Sequence, residues 1–238
     1  MSNPVHQSSE ISDGRVLTIP VGASAAFEDA CARASTDEVV RAVVIVLAGE
    51  ESSADLVEEG MPATLAALLV PVIAGLSGRI DDRALELALT ADVRICETGT
   101  TFAMTTTTAG ERRLPSDGGT QRLPRIVGSG LATDMLLTGR RVTAEEAMRA
   151  GLVTEICPAG ESNTRARQLA KEIAAHGKSA GRFTKEAVLK GADMPLEQSL
   201  RLEADLAILL HTDPERAEGI DAFNRRRKPD FRQEDESK

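Results

Sequence analysis

The chain has 238 residues, 42% of them hydrophobic, and a formal net charge of −9. That length suits one α/β domain with an appendage, and the acidic balance excludes a general nucleic-acid binder, which needs cations to meet phosphates. With only 2% aromatic residues and no Trp or Tyr, the composition argues against base-stacking surfaces as well, and a core of Leu, Val, Ile and Ala is expected. Cys31, Cys96 and Cys157 are widely spaced, with no close Cys/His pattern, so reduced thiols and no metal site are expected. No apolar run reaches the ~18 residues of a membrane span, and the polar start has no signal-like apolar stretch. A cytoplasmic protein with no membrane contact is the expectation.

Arg15–Ile19 predicts a strand, broken by Pro20-Val21-Gly22. Ala25–Ala34 predicts a helix with Phe27, Ala30 and Cys31 on one face. Val39–Leu47 is continuous and β-branched, the pattern of a strand buried on both faces. Gly49–Ser53 reads as a loop and Met61–Leu69 as a helix. Pro71–Leu76 is another buried strand, followed by a tight passage over Gly78–Arg83, a nearly all-apolar helix over Ala84–Ala91 and a strand at Val93–Cys96. Strands alternating with helices predict a mainly parallel sheet.

Glu86 falls in the first turn of the Ala84–Ala91 helix. Backbone N–H groups there have no partner inside the helix, so a carboxylate stands beside a place able to hold a developing oxyanion. Asp81 and Asp82 are N-cap candidates for the same helix. Asp117 before Gly118-Gly119 is a turn former.

Thr98–Thr108 reads as a loop with a strand edge. Thr143 followed by Glu146 is a capping box, and Gly151 ends that helix. Thr164–His176, Lys185–Gly191 and Glu197–His211 predict three helices, separated by Gly177–Gly181 and Asp193–Pro195. Arg225–Lys228 is a basic run, either a solvated helix end or a contact for phosphates.

Pro71–Ile95 resembles the strand–turn–helix of the crotonase (enoyl-CoA hydratase/isomerase) superfamily, P-V-I-A-A-x-x-G-x-x-x-G-G-G-x-E-L-A-x-x-x-D-x-R-I. Pro71, Val72, Ile73, Ala74, Gly78, Glu86, Leu87, Ala88, Asp92, Arg94 and Ile95 match without a gap. Asp82, Arg83 and Ala84 stand in place of the glycine triplet. Leu114–Arg125 resembles the family's I-P-x-x-G-G-T-Q-R-L-P-R, Arg141–Val153 its R-I-x-A-x-E-A-x-x-x-G-L-V, and Asp213–Phe231 its C-terminal D-x-x-E-G-x-x-A-F-x-x-K-R-x-P-x-F. Upstream, Asp55 and Leu56 match the end of G-x-x-x-x-F-S-A-G-A-D-L, and the stretch from there to Pro71 is shorter than the family's.

The resemblance implies a crotonase-like (ClpP/crotonase) α/β spiral of ββα units over residues 12–160. It also implies a C-terminal helical trimerisation region over 161–231, giving a trimer or dimer of trimers. The implied substrate is an acyl-CoA thioester, with coenzyme A entering as part of the substrate and no permanently bound cofactor. The implied oxyanion hole is the backbone N–H groups of Ser52 and Arg83, with Glu86 as acid/base. Thr106 stands where the family has its second glutamate, so Asp117 becomes the candidate replacement carboxylate. Ala54, Asp55, Asp82 and Thr106 are the implied substrate-binding positions. The expected activity is that of an enoyl-CoA hydratase/isomerase working through an enolate. The alternatives are a hydrolase or C–C lyase on the same fold, or a non-catalytic acyl-CoA- or protein-binding homologue. The Arg83 side chain is left open: into the pocket toward a carboxylate-bearing substrate, Glu86 or Asp117, or out into solvent.

Overall fold

The structure is a computed structural model that describes residues 10–12, 15–49, 57–105, 107–108, 111–112, 114–229 and 231. Its elements in chain order are β1 (Glu10–Ser12), β2 (Val16–Ile19), α1 (Ser24–Thr36), β3 (Ala42–Gly49), α2 (Met61–Ala66), β4 (Val72–Asp81), α3 (Asp82–Ala88), β5 (Val93–Glu97) and β6 (Thr101–Ala103). They continue with β7 (Thr107–Thr108), β8 (Glu111–Arg112), α4 (Gly119–Val127), α5 (Ser129–Thr138), β9 (Val142–Thr143), α6 (Ala144–Arg149) and β10 (Glu155–Cys157). The chain closes on four helices: α7 (Ser162–Ala174), α8 (Lys178–Ala192), α9 (Leu196–His211) and α10 (Glu215–Asn224).

β2, β3, β4, β5 and β10 lie side by side and parallel, with β1 antiparallel on the outer edge. Alternation along β3 explains its unbroken apolar run. Val43, Ile45 and Leu47 join a large core with Phe27 of α1, Leu65 of α2 and Leu85 of α3. Ala42 and Val44 face the other way, onto Ala166, Ala170 and Ala174 of α7. The alanines recur every four residues, so one thin face of α7 lies flat on the sheet.

β4 is the strand that makes the fold. Its first half pairs with β5, Ile73↔Val93 to Leu76↔Cys96, and its last three residues pair with β6, Arg79↔Thr101 to Asp81↔Ala103. Between the two pairings lies Gly78 at φ +73, a conformation that side chains resist. The strand therefore leaves one layer and enters a second, where β6 also pairs antiparallel with β9. The passage expected over Gly78–Arg83 is thus strand as far as Asp81, and α3 starts at Asp82 and ends at Ala88 rather than spanning Ala84–Ala91. The partner of Arg79–Asp81 arrives about twenty residues later, so no local pattern announces it.

In the C-terminal region the loop expected at Gly177–Gly181 is instead the start of α8, with Gly177 at the N-cap position. A Cβ at Gly181 would lie 3.4 Å from Pro71 Cγ, so the glycine lets this helix rest on the start of β4. The end of the chain is tied down by buried Arg41. Its guanidinium donates to Glu215 Oε1 at 3.0 Å and to the Phe231 carbonyl at 2.8 Å. The Thr143 hydroxyl accepts from the Glu146 N–H at 3.3 Å as the capping pattern predicts, and Gly151 adopts φ +78. The three cysteines are buried free thiols. Among the described residues no helix is long and apolar enough to cross a membrane, and no cluster of three His, Cys, Asp or Glu is arranged to hold a metal.

Candidate active site

Glu86 sits one turn into α3 and is 2% exposed. Its Oε1 accepts the Asp117 N–H at 2.9 Å and the Gly119 N–H at 2.8 Å. Gly119 opens α4, so a helix N-terminus grips the carboxylate. A Cβ at position 119 would lie 2.9 Å from Glu86 Oε1 and 2.6 Å from Met104 Sδ. Glycine is what allows α4 to close on Glu86. Gly118, at φ +98, makes the turn into the helix. Burial raises the Glu86 carboxyl above the usual glutamate value, and the charge of Asp117 pushes the same way. The two N–H bonds and the Arg83 guanidinium oppose the shift without cancelling it.

Asp117 brings a second carboxylate to the same place. Its Oδ1 accepts the Gly60 N–H at 3.1 Å, and its Oδ2 is buried with no hydrogen-bond partner among the described residues. The turn-forming role of Asp117 accounts for its backbone, whose carbonyl accepts from Arg122 at 2.6 Å. It does not account for a buried carboxylate oxygen left bare, which costs about 1–3 kcal/mol unless something else binds it.

Asp81 and Asp82 do not cap α3 with their side chains. Asp81 holds the N-cap position, but its carboxylate is taken by Arg141 at 2.8 and 2.6 Å and by Arg79 at 3.2 Å. Asp82 lies inside α3 at φ +43, and its Oδ1 accepts the Thr105 N–H at 2.9 Å. Aspartate is one of the few residues that tolerate this left-handed conformation. Asp82 therefore keeps a glycine-like backbone where the motif has its first glycine. Burial raises its carboxyl too, with Asp81 adding to the shift and the Thr105 N–H and Arg141 opposing it.

The Arg83 side chain turns outward. It meets Glu59 at 3.6 Å, with 39% of the arginine and 72% of the glutamate side chain exposed. It bonds neither Glu86 nor Asp117. Ser52, Ala54, Asp55 and Thr106 lie outside the described residues. Two matched positions serve the scaffold instead. Asp92 accepts the Val72 N–H at 2.7 Å, and buried Arg94 donates to the Leu152 carbonyl at 2.6 Å. In the basic run, Arg225 pairs with Asp221 and Arg227 with Glu218 and Asp221, all within its own helical segment. Gly60 and the grip of Arg141 on Asp81 escaped the sequence reading. Gly60 carries no pattern, whereas Arg141 was visible as the first residue of the matched R-I-x-A stretch.

The profile of the Enoyl-CoA hydratase/isomerase family matches residues 46–234. The chain belongs to this family. It is 34% identical over 219 residues to the (E)-benzylidenesuccinyl-CoA hydratase of Thauera aromatica, an alignment covering 84% of this chain and 85% of that protein. It is 38% identical over 170 residues to the 2,3-dehydroadipyl-CoA hydratase of Escherichia coli (strain K12), covering 71% of this chain and 66% of that one. The crystal structure of an enoyl-CoA hydratase from Bacillus anthracis superposes with a TM-score of 0.84 at 27% identity, covering 94% of this chain and 98% of the other. The crotonase-like α/β fold implied by the family's motifs is the fold observed.

Proposed function

We propose that the protein hydrates a 2,3-unsaturated acyl-CoA thioester, with Glu86 as acid/base and Asp117 as the second carboxylate. The observation that carries this reading is the pairing of two carboxylates at one junction, each with one oxygen committed to backbone N–H groups. Oε1 of Glu86 and Oδ1 of Asp117 are held, and Oδ2 of Asp117 is buried and without a partner among the described residues. The raised Glu86 carboxyl brings its proton exchange closer to neutral pH, where an acid/base works best.

In this reading one carboxylate takes a proton from water as the water oxygen bonds to C3 of the acyl group. The electron pair of the double bond moves toward the thioester carbonyl, giving an enolate. A proton delivered to C2 then completes the hydroxyacyl thioester. The enolate oxygen is held by backbone N–H groups at Arg83 and Ser52, the positions the family resemblance supplies. Arg83 can present its N–H because its side chain points away. That outward course supports an enzyme over a binding homologue plugged by an arginine. Coenzyme A enters as part of the substrate, and Ala54, Asp55, Asp82 and Thr106 remain the positions proposed to meet it. The hydratase names of the two curated relatives support hydration over hydrolysis or C–C cleavage.

The helical region 161–231 is proposed to join copies into a trimer or a dimer of trimers. What supports this is the bare apolar surface of α8 and α9. Leu196, Leu200 and Ile208 form a ridge at spacings of four and eight along α9 and are 74%, 56% and 62% exposed.

The test is hydration of crotonyl-CoA, followed by loss of the conjugated enoyl thioester absorbance, with calorimetric binding of the same ligand. Turnover by the wild type that drops about 10²- to 10⁴-fold in Glu86→Gln, with binding retained, supports the assignment. Full activity in Glu86→Gln, or no binding of crotonyl-CoA by the wild type, overturns it.

A further inference from the structure

Among the described residues, Asp82 and Arg226 are the two non-glycine residues with positive φ, and Asp82 is the one inside the candidate site, at +43. β4 and β6 pair as far as Asp81↔Ala103, and the backbone of β4 then turns into α3. The Asp82 side chain carries the pairing one step further. Its Oδ1 accepts the Thr105 N–H at 2.9 Å, two residues past the last ladder pair. The residue before it is fixed as well, because Arg141 and Arg79 hold the Asp81 carboxylate.

This one bond joins two walls of the site. On the first, the ψ of Asp82 sets the plane of the peptide that carries the Arg83 N–H, the donor assigned above to the enolate oxygen. Glu86 follows one turn later on the same helix. On the second, Met104 immediately precedes Thr105 and is fully buried. A Cβ at position 119 would meet Met104 Sδ at 2.6 Å and Glu86 Oε1 at 2.9 Å, so Met104 and the Glu86 carboxylate converge on one point. A glycine at position 82 adopts positive φ freely but has no side chain to tie the peptide to Thr105. An alanine lacks the anchor and resists the conformation as well. Aspartate supplies both.

We infer that Asp82 is a positioning residue for the proposed reaction: its bond to the Thr105 N–H holds the Asp82–Arg83 peptide so that the Arg83 N–H stays aimed at the enolate oxygen. The role is separate from the contact with coenzyme A proposed for this position, and it rests on the hydratase reading of the site. Aim matters because a hydrogen bond weakens steeply as it bends, and an oxyanion donor acts only while directed at the place where charge develops.

The experiment compares Asp82→Asn, Asp82→Gly and Asp82→Ala with the wild type. It reads kcat and KM for crotonyl-CoA and the affinity for butyryl-CoA, which forms no double-bond adduct. Asp82→Asn keeps an acceptor oxygen and a residue that tolerates positive φ, and is expected to hold kcat within about threefold. Asp82→Gly keeps the conformation without the anchor. Its kcat is expected to fall about ten- to a hundredfold, a part of what a lost oxyanion donor costs, with KM and butyryl-CoA affinity nearly unchanged. Asp82→Ala is expected to fall at least as far. A wild-type kcat in Asp82→Gly overturns the inference. So does an equal loss of butyryl-CoA binding, which marks a merely structural role, or an Asp82→Asn variant as slow as Asp82→Gly.

Acetoacetyl-CoA tests the same point without hydration, because its bound enolate has an ultraviolet absorbance of its own. The wild type is expected to show that absorbance, Asp82→Asn to retain it, and Asp82→Gly to bind the ligand with the signal reduced. An enolate signal that depends on Asp82, with no hydration of crotonyl-CoA, sustains this inference while the hydratase reading falls. Hydration and enolate signal both indifferent to Asp82 do the reverse. Binding of no acyl-CoA overturns both.

Discussion

The junction of α3 with α4 and the pair α8–α9 are built from similar helices and treat their polar and apolar groups in opposite ways. At the junction nearly everything is spent within one chain. Glu86 is gripped by the start of α4, Asp81 by Arg141 and Arg79, and Asp82 by the Thr105 N–H. In α8 no residue is buried, and in α9 only Leu206 is. A helix whose apolar side chains face water contributes little to the stability of a single chain and much to association. The difference teaches that the junction holds its polar groups within one copy, whereas the C-terminal helices leave apolar surface uncovered for the association proposed above.

The largest expected effect that breaks this contrast is Gly119→Ala. The new methyl lands between Met104 Sδ and Glu86 Oε1, so the carboxylate must move or α4 must back away. Overpacking of this kind costs about 1–3 kcal/mol, and hydration is expected to fall by at least about tenfold, checked by chemical denaturation beside the crotonyl-CoA assay. An unaltered denaturation midpoint and rate would show that the α3–α4 contact is looser than its geometry indicates.

Arg141→Ala comes next. It leaves a carboxylate that is 7% exposed with Arg79 as its remaining cation among the described residues, at a cost of about 1–3 kcal/mol. Because Asp81 precedes the left-handed Asp82, the start of α3 is expected to loosen, lowering kcat more than it raises KM. Arg141→Lys should recover part of the loss, which a mere loss of surface charge would not require.

The other region is sharpened by Leu196→Glu with Leu200→Glu. Sedimentation is expected to show the proposed trimer or dimer of trimers falling to monomers while far-ultraviolet circular dichroism stays as in the wild type. An unchanged assembly would place the contact elsewhere.

The smallest effect concerns pH. The Glu86 carboxyl is raised in the folded state, so its stabilising contribution is complete below the ordinary glutamate range and is lost as pH rises through the higher folded value. Glu86→Gln is therefore expected to melt above the wild type at pH 7, with the two curves converging as pH falls below 4. A Gln variant that melts lower at pH 7 would show that the N–H grip of α4 outweighs the cost of burial.

Several features were legible in the chain from spacing alone. The alternating strands and helices gave a parallel sheet, the run through β3 gave burial on both faces, and the Thr143 and Gly151 signals bounded α6. Each depends on contacts within a few residues or on a repeating face, and such patterns survive in any context. Glu86 was also visible, because its place in a helix first turn and its motif position are local facts.

The tertiary structure decided the rest. Gly78 looked like a turn and proved to be the bend that carries β4 into a second layer, because β6 supplies partners from far along the chain. Gly177–Gly181 looked like a loop and became the start of α8, because Gly181 packs on Pro71. Asp81 and Asp82 looked like caps, yet Arg141 and Thr105 claim their side chains. The outward course of Arg83 follows from Glu59, twenty-four residues upstream, and the raised carboxyl of Glu86 follows from burial beneath α4. A residue type and its spacing determine what a side chain can offer. Which partner accepts the offer, and whether water is excluded while it does, is settled only when distant segments are brought together.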